Sequence, residues 1–304
     1  MLRKLICLLA CLLVCLPLPL LSGASAQEEE ALWAPEPKAV YDFSGQVIRS
    51  YDSDTLQYTV EKFKVDGVVC YLSKIWVQDP ARQIHKETAA WKKNIQRPII
   101  MARRVKDAAL VINGSGYVSP VYPWIPENYP GTSADYYYTP LGSLTVTGGE
   151  VFRNLEGVPY SGLTLEEDGL HMYTGAKNAD VLARAPRETW SFYVQCPMMR
   201  NNQDILPEDW PFADREAVRT VISRVNQNNY LILSVSKRGG RGLSLRRVNT
   251  FFQKYFDTEW VYDLDGGPSS ALICRAKGRK SLVTVMGGEA RDADIMAFTE
   301  LPEP

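Results

Sequence analysis

Alternation of apolar and polar positions begins at Leu56, where Leu56-Gln57-Tyr58-Thr59-Val60-Glu61-Lys62-Phe63 is followed by Gly67-Val68-Val69-Cys70-Tyr71-Leu72-Ser73-Lys74-Ile75-Trp76-Val77. Two such runs across a glycine predict a pair of strands. The stretch from Pro80 to Arg104 is charged and lacks alternation, which predicts a helix from about Arg82 to Lys93 and a second around Pro98 to Arg104. Ala108-Ala109-Leu110-Val111-Ile112 reads as a short apolar strand. Short strands continue from Ser143 to Met172, with hairpin turns at Thr147-Gly148-Gly149-Glu150 and Glu167-Asp168-Gly169. A short helix is expected from Ala179 to Arg184, then a strand from Ser191 to Met199, then a hairpin of Val218 to Val225 and Tyr230 to Ser236 turning through Asn226-Gln227-Asn228-Asn229. Leu243 to Phe256 has helical periodicity: Leu245, Val248, Phe252 and Tyr255 share roughly one face, and Ser244 is placed to cap it. The helix feeds an apolar run at Trp260. The summed pattern predicts an α+β fold, a strand-rich mixed sheet with a few helices in a single domain, over about residues 51–304.

Two polar loops interrupt these apolar runs. The first, Asn113-Gly114-Ser115-Gly116-Tyr117, ends the strand at Ile112. The second, Asp263-Leu264-Asp265-Gly266-Gly267-Pro268-Ser269-Ser270, lies between Trp260-Val261-Tyr262 and Ala271-Leu272-Ile273. Its glycines permit backbone angles or close approaches that a side chain forbids, and its carboxylates and hydroxyls can share one small space. The plainer reading is an Asp-Gly turn whose carboxylate bonds its own backbone. A proline- and aromatic-rich insertion from Pro120 to Pro140 carries Tyr122, Trp124, Tyr129, Tyr136, Tyr137 and Tyr138. It is read either as a pocket lid or sugar-stacking loop, or as a self-packed surface loop.

Composition narrows the function classes. Met1 to Ala26 has Arg3 and Lys4, an apolar run from Leu5 to Leu21 and Ala24-Ser25-Ala26, the pattern of a secretory signal peptide; an uncleaved anchor is the alternative. Residues 27–50 read as a linker or entry segment, with Gln27-Glu28-Glu29-Glu30 and prolines at 35 and 37. The body of the chain is therefore expected outside the cytoplasm, secreted or in the cell envelope, with no transmembrane domain once the leader is removed. The formal charge of -1 for the whole chain excludes the basic footprint of a nucleic-acid binder. Cys70, Cys196 and Cys274 have no metal-type spacing, and in an exported chain one disulfide with one thiol left over is open among them. His85 and His171 stand apart from other ligand types, which argues against zinc. Ser269 and Ser270 lack a Gly-x-Ser-x-Gly elbow and a histidine base, so a serine triad is not expected.

The order of these motifs resembles the phosphodiester glycosidase family over roughly residues 57 to 300. The resemblance rests on Asn113-Gly114, Arg219-Thr220, Arg238, Gly242-Leu243-Ser244-Leu245 and Asp265-Gly266-Gly267 with Ser269-Ser270. Asp263 stands where the family has asparagine, Ser236-Lys237 where it has Asp-Gly, and Glu289-Ala290-Arg291 where it has Glu-Arg-Pro. Many bacterial members are exported and associated with exopolysaccharide or envelope metabolism. The resemblance implies a hydrolase that cleaves a sugar-1-phosphodiester bond in an envelope polymer or glycan. In that chemistry a phosphate leaving group needs little general-acid help, and cationic donors that stabilise it matter more. Asp265 is then the carboxylate that activates water or attacks the anomeric carbon, with Asp263 second and Arg219 the first cationic donor. Asn113, Gly114, Lys237, Arg238, Gly266, Gly267, Ser269 and Ser270 are the expected substrate-binding positions. A divalent cation such as calcium, held by the two carboxylates with Asn113, is left open. The competing class is a non-catalytic glycan-binding envelope protein on the same fold, and a third is a purely structural envelope protein.

Overall fold

The computed structural model describes residues 35–120, 133–191, 196–210, 212–275 and 278–302. The leader expected over residues 1–26, Tyr122, Trp124 and Tyr129 of the aromatic insertion, and residues 192–195 of the strand expected from Ser191 lie outside them. Glu36–Pro304 forms one compact unit. The chain between residues 36 and 50, expected as an entry segment, carries the start of the first strand and packs Tyr41 and Phe43 against the core. No helix among the described residues is long and apolar enough to cross a membrane.

The predicted hairpin forms as β2 (Leu56–Val65) and β3 (Val68–Val77). Asp66 and Gly67 turn it with φ of 49° and 83°, the left-handed pair that matches the twist of the flanking strands. β1 (Gln46–Asp52) lies on its outer edge. The second predicted hairpin forms as β13 (Arg219–Asn226) and β14 (Asn229–Val235), and the run at Trp260 forms β15 (Trp260–Asp263). With β11 (Pro197–Arg200) and β12 (Gln203–Asp204) these make an eight-stranded sheet in the order β1-β2-β3-β14-β13-β15-β11-β12. A five-stranded sheet, β17-β16-β5-β18-β4, is built from β17 (Leu282–Gly287), β16 (Ala271–Arg275), β5 (Ala108–Asn113), β18 (Asp294–Thr299) and β4 (Ile84–Thr88). β8 (Tyr160–Glu166), β9 (Gly169–Ala176) and β10 (Glu188–Trp190) form a smaller sheet, and β6 (Leu144–Thr147) pairs with β7 (Glu150–Asn154). All of these pairings are antiparallel. The fold is a strand-rich α+β fold, as expected.

One element departs from expectation. The helix expected from Arg82 to Lys93 is a single turn, α1 (Pro80–Gln83), after which the chain extends as β4. Charge without alternation suggested a helix, but β4 pairs residue by residue with β18 and buries the whole Lys86 side chain. The other helices are α2 (Pro98–Ala102), α3 (Asn178–Leu182) and α4 (Leu245–Tyr255). The side chain of Ser244 caps α4 by accepting from the Arg247 amide at 3.3 Å. α4 lays Phe251 and Phe252 into an aromatic cluster: Phe43 meets Phe63 at 4.8 Å and Phe251 at 5.3 Å between ring centroids. No disulfide joins Cys70, Cys196 and Cys274, all buried; burial pushes the Cys70 and Cys274 thiols up to about 12.

If packing rather than capping holds α4, Phe252→Ala should cost about 3–5 kcal/mol and Ser244→Ala about 1 kcal/mol in urea unfolding midpoints at equal slope.

Candidate functional site

β15 belongs to the eight-stranded sheet and β16 to the five-stranded one, so the Asp263–Ser270 loop carries the chain from one sheet to the other. The two sheets meet at Asn113, the last residue of β5. Its Nδ2 donates to the Asp265 carbonyl at 2.6 Å, and its Oδ1 accepts from Thr220 Oγ1 at 2.7 Å and from the Ala271 amide at 3.0 Å. Both lone pairs of the Asn113 Oδ1 are thereby taken, and the side chain fixes the loop. Asp265 donates its own amide to the Gly114 carbonyl at 3.1 Å and accepts from the Gly266 amide at 2.9 Å. Gly267 turns with φ of 62°, where a side chain strains the backbone.

The loop forms one wall of a pocket of about 430 Å³. Arg219, Asp263, Asp265, Gly266, Gly267 and Ser269 line it, together with Pro268. Tyr117, Ser119, Trp210, Phe212, Arg215, Ala217 and Ala290 complete the lining. Six of the eleven residues expected at the site therefore line one pocket. Asn113, Gly114 and Ser270 form the buried layer beneath it. Lys237 and Arg238 do not line it: they are exposed on the loop after β14, where the Arg238 carbonyl accepts from the Val69 amide and so draws the loop toward the β2–β3 hairpin.

Arg219 is committed to the protein. Nη1 donates to Asp263 Oδ2 at 3.2 Å, and Nη2 to the carbonyls of Arg215 at 2.9 Å and Phe212 at 3.4 Å. Burial pushes the Asp263 carboxyl up to about 6, against the opposing pull of Arg219. Asp265 is pushed up to about 7, first by burial; the Ser269 hydroxyl and Gly266 amide oppose this, and Asp263 and Asp294 add to it. A carboxylate poised near neutrality is suited to accept and return a proton.

Three buried charged residues that the sequence pattern did not flag lie behind the loop, outside the pocket lining. Asp294, at the start of β18, accepts from the Ser115 amide at 2.6 Å and pairs with Lys86 at 3.3 Å, both side chains wholly inaccessible. Lys86 also donates to the Thr189 carbonyl and lies 5.4 Å and 5.6 Å from the Trp91 and Trp190 ring centroids. Asp292, two residues before Asp294, is fully buried. The one signal available was the alternation Asp292-Ala293-Asp294 leading into an apolar strand, which places both carboxylates on one face. Arg215 and the aromatic pair Trp210 and Phe212 were also unanticipated, because they come from an irregular segment before β13.

Glu166, Asp168 and His171 form the only convergent three-group cluster of metal-ligand type among the described residues, away from this pocket. Its members are already engaged: Glu166 accepts from Thr164, Tyr173 and Arg184, and His171 meets Asp168 at 2.7 Å beside the β8–β9 turn.

No family model matches the chain, and no curated protein sequence does. Solved structures share its fold. The catalytic domain of zebrafish N-acetylglucosamine-1-phosphodiester alpha-N-acetylglucosaminidase, auto-inhibited by its pro-peptide, superposes with a TM-score of 0.61 at 14% identity, over 86% of this chain and 88% of that one. A hypothetical protein from Synechocystis superposes with a TM-score of 0.56 at 11% identity, over 82% of this chain and 63% of that one. At these identities the likeness establishes a common fold.

Two outcomes check the site geometry. A Cβ on Gly114 would stand 2.0 Å from Asp294 Oδ1, so Gly114→Ala should displace that buried carboxylate and cost at least about 1–3 kcal/mol in urea unfolding. Asp265 holds its proton in the folded chain up to about 7 but releases it near 3.8 when unfolded, so its contribution to stability falls as pH rises through that window. Asp265→Asn, which cannot ionise, should lessen the fall of the unfolding midpoint between about pH 4 and about pH 7, the part due to Asp263 remaining below about 6.

Proposed function

We propose that this chain is an exported phosphodiester glycosidase, a hydrolase that breaks a sugar-1-phosphodiester bond in an envelope polymer or glycan. The observation that carries the reading is the content of one pocket: a buried carboxyl poised near neutrality, Asp265, shares its lining with the aromatic Trp210, Phe212 and Tyr117 and with Arg215 and Arg219. The aromatic faces suit the apolar side of a sugar ring, and the guanidinium groups suit a phosphodiester. Support also comes from the fold shared with the catalytic domain of a phosphodiester glycosidase and from the secretory pattern of residues 1–26.

In this reading Asp265 takes the proton from a water that attacks the anomeric carbon, and the phosphate monoester leaves as a weak base without strong acid assistance. Arg215, exposed and in the lining, is placed to hold the phosphate oxygens. Arg219 contributes charge from below, while its hydrogen bonds keep Asp263 and the carbonyls of Phe212 and Arg215 in place. Lys237 and Arg238 have no part in it.

The test is hydrolysis of a panel of sugar-1-phosphodiesters by residues 27–304, beside single variants. Asp265→Asn should lower kcat by about 10²–10⁴-fold. Arg215→Ala should raise KM for the diesters while leaving binding of neutral sugars unchanged. Retention of glycans without turnover of any diester would favour the glycan-binding alternative, and neither retention nor turnover the structural one.

A further inference from the structure

The described ends of the aromatic insertion run side by side at the pocket wall. The Leu141 amide donates to the Gly116 carbonyl at 2.7 Å, the Val118 amide to the Thr139 carbonyl at 3.0 Å and the Tyr138 amide to the Val118 carbonyl at 2.7 Å, with Tyr117 opposite Pro140. Alternation along the first of these two segments decides what the pocket contains. Tyr117 and Ser119 line it, whereas Val118 between them is buried with Leu141, and Tyr136 and Tyr137 pack on that pair. These two tyrosines are thus packed on the insertion's own stem. A slip of one residue in the pairing would turn Val118 toward the pocket and take Tyr117 and Ser119 out of it.

The stem's own chemistry does not favour this register. Tyr138 holds φ of 63°, a left-handed angle that an aromatic residue rarely adopts, and Pro140 has no amide to donate. Such a conformation persists only where its surroundings over-determine it. Arg153, a buried residue of β7, supplies that constraint. Its Nη1 donates to the Pro140 carbonyl at 2.6 Å and to the Gly142 carbonyl at 3.2 Å, and its Nη2 donates to Thr139 Oγ1. The Thr139 hydroxyl donates in turn to the Tyr136 carbonyl at 2.6 Å, and the guanidinium lies 4.1 Å from the Tyr136 ring centroid. One planar group thereby holds Tyr136, Thr139, Pro140 and Gly142 in a fixed relation. The Asp265 loop is anchored separately, by the Asn113 side chain and the Gly114 carbonyl.

We propose that Arg153 is a positioning residue for substrate recognition: by fixing the register of the insertion's stem, it presents Tyr117 and Ser119 to the pocket. Arg153 itself is not in the lining. The register stands on the hydrogen bonds alone, and its consequence for the sugar rests on the proposed hydrolysis. Recognition and chemistry are then held by different side chains, Arg153 for the Tyr117 wall and Asn113 for the Asp265 loop.

The test is residue-resolved amide hydrogen exchange of the full chain in Arg153→Lys, which keeps the charge and loses the planar fork, and in Thr139→Val, which removes one acceptor. The amides of Val118, Tyr138 and Leu141 should exchange about tenfold faster in Arg153→Lys and less so in Thr139→Val, while the Asp265 amide keeps its wild-type rate. In the same variants KM for sugar-1-phosphodiesters should rise about two- to tenfold with kcat within about twofold of wild type. Unchanged exchange at the three amides would overturn the proposal, as would equal acceleration at Asp265 or a fall in kcat with KM unchanged. If Arg153→Lys does not fold, Thr139→Val decides alone by the same criteria. Absence of turnover in the wild type would refute the proposed function, and the exchange pattern then decides the register by itself. Recognition is in that case read on immobilised glycans: retention of the wild type and loss in Arg153→Lys supports it, and retention of neither, or of both equally, overturns it.

Discussion

One side chain holds the site together. Asn113 closes the end of β5 and uses both faces of its amide, reaching the loop after β15, the hydroxyl of Thr220 on β13 and the amide of Ala271 on β16. Buried polar groups of this kind are costly unless fully satisfied, so their hydrogen bonds select one arrangement of the chain around them. Here that arrangement is the seam between the two larger sheets. Everything chemical in the pocket is placed relative to it: Asp265 by its own carbonyl and amide, Arg219 as the neighbour of Thr220, and Asp294 across the strand pair of β5 and β18.

The pocket and the layer behind it follow an electrostatic rule as much as a steric one. Each paired aspartate has its cation delivered from the adjacent strand, Arg219 from β13 and Lys86 from β4. Charges so deeply buried gain little net stability from pairing, but breaking either pair leaves an uncompensated buried ion, and for Lys86 and Asp294 one that is wholly inaccessible. The sheet register is thus constrained by charge at two separate places, and a slip of one residue in β4 or β13 would turn the partner to the opposite face.

Much of this was legible in the chain. β-like patterning with turn residues located both long hairpins, helical periodicity the helix capped by Ser244, and an apolar run the strand at Trp260, because pattern and turn chemistry agreed there. The loop at Asp265 stood out because glycines, carboxylates and hydroxyls cluster beside apolar runs, and Arg219 because Arg219-Thr220 matches the order of motifs in the family it resembles; both line the pocket. The segment around Lys86 was not, since a strand that buries a lysine beneath two tryptophans carries no alternation to read. Asp292 and Asp294 looked like ordinary polar residues before a strand, and only the tertiary contacts reveal that solvent never reaches them. Lys237 and Arg238 were attractive as charges, yet the glycine-rich turn that carries them folds toward the β2–β3 hairpin.

The same guanidinium that meets Asp263 also holds the carbonyls of Phe212 and Arg215. The aromatic rim and the acidic floor are therefore one mechanical unit, hinged on a residue that looks from sequence like a simple anion contact. Removing Arg219 would loosen the rim, unbalance Asp263 and subtract positive charge in one stroke. A kinetic defect in such a variant would be a composite of three losses, and its size could not be assigned to any one of them.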